Sequence, residues 1–258
     1  MTEHGASIGF FARLRRNCRE CTYQLREFFY QLLRVDLARY VVAWVRYVYF
    51  VFLRRRLREY GVSSGDIGVN TVHHNALRLG SFKKLIVNRS NLLLYPLSAI
   101  AINRGSPVLC IGPRTEGELL NYRGLGFRNV RGLDLLSYSP WIDVGDMHAM
   151  PYSHDAFTVT LFSFCLSYSN NRVKAAAEAI RVTRNGGIIG VGDQWFRESA
   201  EDVSKRVGYQ MPGERKMTSV GEILGFFGDH VGHVFFSQDR PSAPHDKCNL
   251  VVLFSLRK

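Results

Sequence analysis

The chain lacks the features that would mark several common classes. Its five cysteines are an odd number, and Cys18 and Cys21 form a lone CxxC with no second pair, which argues against a disulfide scaffold and against a paired-thiolate zinc site. There is no HExxH and no acidic cluster with octahedral spacing, so no metal is expected. The N-terminus has no apolar stretch ahead of a small-residue cleavage site, so no secretory signal is expected. Together with the cysteine usage this predicts a reducing, cytoplasmic setting. No internal repeat or low-complexity tract appears, and no Pro or Gly interrupts the stretch from Phe10 to Glu59.

What is present is a chain of 258 residues, 46% hydrophobic and 22% charged, enough for one good core and far from a disordered composition. The net charge is +12, and more than half of it sits at one end: residues 1–60 carry twelve arginines against five acids. The Pro- and Gly-free stretch predicts helix over Phe10–Glu59. Within it, Tyr40 to Leu53 is intensely apolar and aromatic and ends in Arg54, Arg55, Arg56 and Arg58. Arg46 interrupts the run, so it falls short of the roughly 20 apolar residues of a spanning helix. Two readings stay open. One is a helix docked on the core or on a homodimer mate, its arginines reaching outward; the other is an interfacial helix at a membrane surface, peripheral at the inner face. Nucleic acid is disfavoured, because no recognised binding motif accompanies the arginines.

Gly61 to Gly68 reads as a turn-rich joint, and Ser90 to Ile102 as a helix before the first central strand. From Val108 strands and helices alternate. Strands are expected at Val108–Ile111, Asn129–Asp134, Trp141–Val144, Ala156–Ser163 and Gly187–Val191, with helices at Glu116–Tyr122 and Arg172–Arg184. That alternation predicts an α/β fold with a parallel sheet covered on both faces. The tail predicts a helix near Ser219–Phe227 and then two strands, His233–Gln238 and Asn249–Leu256, as an antiparallel hairpin at a sheet edge. Asp134 and Asp146 fall at consecutive strand ends, where two carboxylates suit an adenosine: one on the ribose hydroxyls, one near the adenine edge.

The stretches VLCIGPRTEGE, VRGLDLLSYSP, IDVGDMHAMPYSHDAFTVTLFSFCLSYSNN and EAIRVTRNGGIIGVG, within residues 107–192, resemble the class I S-adenosylmethionine-dependent methyltransferases, in their methyltransferase domain 11-like branch. The resemblance implies a Rossmann-like, doubly wound, seven-stranded sheet whose last strand is antiparallel. It divides the chain into an N-terminal helical cap or anchor, residues 1–104, and a catalytic domain, residues 105–258. It implies S-adenosylmethionine as cofactor and a small-molecule acceptor, sugar- or lipid-linked, in a biosynthetic pathway.

Carried over residue by residue, Gly112 turns the loop after the first strand, and Asp134 with Leu135 meets the ribose. Asp146 takes the adenine amino group, with Met147 along the ring, and Phe164 lines the methyl-transfer channel. The family's acid-x-Gly-x-Gly-x-Gly loop is altered: Cys110 stands in the acid's place, and Arg114 and Glu116 stand at later glycines. Either Glu116 or Glu118 replaces the missing carboxylate, with Arg114 or Thr115 on the cofactor's own carboxylate, or the pocket no longer holds the cofactor. In the second case the domain is a silent module that docks a partner enzyme or membrane. For a general base, His148 and Tyr168 are the candidates beside the cofactor; His73 and His74, in an N-terminal segment that could roof the pocket, and His154 are further options.

Overall fold

A computed structural model describes residues 20–61, 88–199, 217–243 and 246–258, with single positions at 72, 76, 85, 201, 202 and 205. The joint expected at Gly61–Gly68 and the pair His73 and His74 lie almost wholly outside the described residues.

The centre is a seven-stranded sheet. Its members are β2 (Val108–Ile111), β3 (Val130–Asp134), β5 (Ile142–Val144), β6 (Phe157–Ser163), β7 (Thr183–Phe196), β8 (Val231–Gln238) and β9 (Lys247–Leu256). They lie in the order β5-β3-β2-β6-β7-β9-β8. The first five are parallel, and β9 runs antiparallel between β7 and β8. The two apolar central strands, β2 and β6, are buried at every position, as expected of strands covered on both faces. Strand alternation divides them. Val108 and Cys110 join one core with α3 (Asn91–Ala99) and α4 (Glu116–Gly124); Leu109 and Ile111 join the other with α5 (Arg172–Val182) and α6 (Val220–Gly225).

Every predicted central strand and helix is present, the ends moved by a few residues. The exception is β7, which runs to Phe196 rather than stopping at Val191, because β9 pairs with it continuously from Ile188 to Phe196. α3 carries Leu93, Leu94 and Leu97 fully into the sheet's core, each such burial contributing roughly 1.5–3 kcal/mol.

The single helix expected over Phe10–Glu59 is corrected. Residues 20–32 are helical (α1), the chain turns at Leu33–Val35, and α2 (Asp36–Val48) follows, continuing into a π-helical turn at Tyr49–Leu53. The cause of the break lies on another helix. The Leu33 carbonyl lies against Gly124, where a Cβ would stand 2.4 Å from it, and accepts a hydrogen bond from Arg39 Nη1 at 2.7 Å. A straight helix could not seat that carbonyl there. The short strand β1 (Arg58–Glu59) then pairs antiparallel with β4 (Leu136–Ser137), tying the segment to the body. No helix among the described residues is long and apolar enough to cross a membrane.

Candidate functional site

Parallel register brings the C-terminal ends of β2, β3, β5 and β6 to one edge of the sheet. The Gly112 N–H donates to the Leu133 carbonyl at 2.8 Å, and the Gly145 N–H to the Asp134 carbonyl at 3.0 Å. Gly112, Asp134, Asp146 and Phe164 therefore follow neighbouring strands, at the edge where open α/β sheets take their ligands.

The loop after β2 is tight. Gly112 has φ +71, and a Cβ there would lie 2.6 Å from Cys165 Cβ. Arg114 also adopts a left-handed conformation, φ +47, which costs a side-chain-bearing residue roughly 1–2 kcal/mol. The turn of a glycine-rich loop is thus retained with arginine in a glycine's conformation. In that turn the Arg114 N–H donates to Asp134 Oδ2 at 3.0 Å, and the Leu136 N–H donates to Oδ1 at 3.3 Å. Burial raises the Asp134 pKa, and these backbone donors oppose the rise.

Glu118, in the first turn of α4, faces the same place. Burial pushes its pKa up to about 8; the Arg114 and Arg89 guanidinium groups oppose this, and the neighbouring Asp134 adds to it. Across the cleft, Asp193 near the end of β7 is buried and accepts from Ser167 Oγ at 2.9 Å. Burial raises its pKa to about 6 against the hydrogen bonds from Gln194 and Ser167 and the charges of Arg172 and Arg89. Arg89 stacks its guanidinium 4.5 Å above the Phe164 ring. Phe164 itself is nearly buried, with φ +59, packed where a Cβ on Gly192 would meet its ring at 2.7 Å.

Asp146 and His148 form a second unit. Asp146 Oδ1 accepts from the His148 backbone N–H at 2.9 Å and lies 2.6 Å from His148 Nδ1. Nε2 lies 2.6 Å from Ser169 Oγ, which in turn accepts the Asn171 N–H at 3.0 Å. Each ring nitrogen of His148 therefore has a partner, Nδ1 the Asp146 carboxylate and Nε2 the Ser169 hydroxyl. The hydrogen bond from His148 holds the Asp146 carboxyl below its ordinary range. Asp146 Oδ2 has no hydrogen bond among the described residues. Met147 and Leu135 are half-buried beside these acids, and Tyr168 is half-buried in the turn after β6.

Two expected cofactor contacts are corrected. Glu116 is fully buried and turned toward α2: it binds Arg46 Nε and Nη2 at 2.5 and 2.9 Å and accepts from Ser139 Oγ. Thr115 is buried as well, donating its hydroxyl to the Leu85 carbonyl at 2.8 Å. Of the two glutamates that could replace the missing acid, Glu118 is the one that faces Asp134. Arg89 and Asp193 are candidates that no sequence motif marks; Asp193 lies inside β7, three residues before its end at Phe196, and not at a strand tip like Asp134. Among the described residues no group of His, Cys, Asp and Glu could hold a metal ion.

Residues 122–191 match the family model of the methyltransferase domain. Over those 70 residues the chain matches a methyltransferase domain, set in a sheet of the Rossmann-like order. Solved structures agree on the fold. The chain is similar to the [4+2]-cyclase SpnF, at 14% identity and a TM-score of 0.57 over 78% of this chain and 99% of that one. It is similar to a chain of the complex between the Haloferax volcanii Trm112 methyltransferase activator and a methyltransferase, at 16% identity and TM-score 0.54, over 75% and 98%. A SAM-dependent methyltransferase from Thermotoga maritima aligns at 14% identity and TM-score 0.50, over 72% and 99%. A search of the curated proteins finds no match. At these identities the structural likenesses establish the fold, and SpnF, a cyclase by name, illustrates that the fold alone does not fix the reaction.

Proposed function

We propose that this methyltransferase acts on a small-molecule acceptor, sugar- or lipid-linked, in a cytoplasmic biosynthetic pathway, and that Gly112, Arg114, Glu118, Asp134, Leu135, Asp146 and Met147 form its cofactor site. One observation carries the site assignment. Two buried carboxylates, Glu118 and Asp134, flank a loop kept in a glycine-type turn even where the residue is arginine. Buried acids with raised pKa values call for a cationic or hydroxyl-rich partner, and strain of this kind is retained where function requires it.

S-adenosylmethionine supplies, when bound, an electrophilic methyl group and its own leaving group. The chain's residues have the tasks of binding, alignment and exclusion of water. Gly112 allows the backbone to approach the ligand. Asp134 accepts hydroxyl donors, and Glu118, protonated at neutral pH in the ligand-free protein, gains its charge opposite an ammonium. Asp146 Oδ2 is the oxygen left for an amino donor, and Leu135 and Met147 provide the apolar walls. Both ring nitrogens of His148 are engaged, so its role is to orient Asp146 rather than to take a proton. Tyr168, in the turn after β6, is the remaining candidate beside the acceptor. The N-terminal segment, residues 10–59, serves as the surface that brings the enzyme to a membrane or to a second copy.

Titration calorimetry with S-adenosylhomocysteine tests the site. Binding that weakens about tenfold or more in Asp134→Ala, the scale of a lost charge-assisted hydrogen bond, supports it. No heat at millimolar ligand would leave the domain a silent docking module.

A further inference from the structure

We propose that α1, α2 and the π-helical turn after them form a docking face for an anionic membrane surface, on which the protein lies without crossing. The inference requires nothing of the methyl-transfer reading, because it comes from what these helices leave uncovered. Of the twenty-one large hydrophobic side chains exposed among the described residues, fifteen lie between Tyr23 and Tyr60.

They are not scattered. On α1 they recur as Leu25, Phe28, Phe29 and Leu32, and from α2 onward as Leu37, Val41, Trp44, Val45 and Phe52. These are the three- and four-residue spacings of one helical face. The opposite face of α2 does the packing: Ala43 and Tyr47 are buried, and Arg46 reaches Glu116. An ordinary surface helix turns its apolar stripe inward; here α2 packs inward and still carries a second stripe outward. Leu37 and Leu53 are 71% and 73% exposed, and Phe28 and Phe52 are 67% and 63% exposed, too much for the margins of an inward-facing stripe.

The charge decides the occupant. Arg54, Arg55 and Arg58 are exposed at the C-terminal end of the stripe, Arg26 is exposed on α1, and Arg34 is exposed in the turn after it. Within residues 20–60 there are eight arginines and four acids. Two of those acids are already paired, Asp36 with Arg39 and Glu27 with Arg128. A second copy meeting this face about a two-fold axis would set the arginine clusters of both copies around one interface. Anionic headgroups instead neutralise the arginines while aromatic and aliphatic side chains enter the acyl boundary. From Asp36 to Leu53 the helix extends about 27 Å with Arg46 on its inner side, a shape for lying in the interface plane.

The test is co-sedimentation of the full chain with vesicles of phosphatidylcholine alone and of phosphatidylcholine mixed with phosphatidylserine. The expected result is partition onto the mixed vesicles, weakened by added salt, with a blue shift in tryptophan emission that Trp44→Phe removes. Leu37→Glu combined with Phe52→Glu, and separately Arg54→Glu combined with Arg55→Glu, should each lower partition by more than about tenfold. The circular dichroism and thermal unfolding midpoint of each variant should be unchanged, which separates loss of docking from loss of fold. Failure of the unaltered chain to bind the mixed vesicles overturns the proposal. So does self-association that these substitutions abolish in the absence of any vesicle binding.

Discussion

Arg46 on α2 and Glu116 at the start of α4, 70 residues apart, form a two-pronged ion pair in which the carboxylate is fully buried. The guanidinium also lies 3.5 Å over the Trp141 ring, whose indole has Arg123 at 3.7 Å as well. Removing the cation alone would strand a buried carboxylate with the Ser139 hydroxyl as its hydrogen-bond donor and Arg123 as the nearby charge. Arg46→Leu should therefore cost on the order of 3 kcal/mol of stability, read from urea unfolding midpoints. The double change Arg46→Leu with Glu116→Gln should recover part of that loss. A single-variant cost under about 1 kcal/mol, the scale of an exposed pair, would contradict the geometry.

Loop strain gives an independent check. Gly at position 114 has free access to φ +47, whereas a β-branched residue does not. Arg114→Gly should leave stability unchanged or raise it by about 1 kcal/mol, and Arg114→Val should lower it. Thermal unfolding of both variants tests the order, which reverses if the loop relaxes to negative φ.

Glu118 and Asp193 set a pH dependence. Each has a pKa raised in the folded protein, to about 8 and about 6. The folded chain therefore holds more protons than the unfolded chain between the ordinary carboxylate range and those values. Their contribution to stability is full below that range and is lost as pH rises through about 6 and then about 8. The unfolding temperature of the ligand-free protein should fall from pH 5 to pH 9, and Glu118→Gln should flatten the upper part of the fall. A midpoint that rises over this interval would show both acids to be ionised and well paired throughout.

The hydrogen bonds of His148 predict a kinetic split. As the residue that orients Asp146, its replacement in His148→Gln should raise the KM for S-adenosylmethionine about tenfold, with kcat retained. The pH profile of kcat should keep its inflections. Loss of an inflection near neutrality would instead make the imidazole a proton acceptor in the reaction.

The parts of the fold governed by local pattern were legible in the sequence. Val108–Ile111 and Phe157–Ser163 read as buried strands because both faces are covered, and Asp134 and Asp146 stood out as acids ending apolar runs. What failed depends on partners remote in the chain. The turn at Leu33–Val35 exists because Gly124, some 90 residues later, admits a carbonyl. Glu116 and Glu118 differ by two positions on one helix, so a loop-level reading could not tell which one faces Asp134 and which faces Arg46. The outward stripe of α1 and α2 was visible only as general apolarity, because sequence does not reveal which face of a doubly apolar helix is covered.

The stacking of Trp141 between Arg46 and Arg123 has a consequence for how the molecule could be divided. Together with Leu93, Leu94 and Leu97 of α3, which fill one side of the sheet, it makes α2 and α3 part of the wall of the α/β unit. A chain begun at residue 105 would present a bare indole, an orphaned glutamate and an open leucine socket to water. Such a fragment should aggregate rather than fold, whatever its active-site residues.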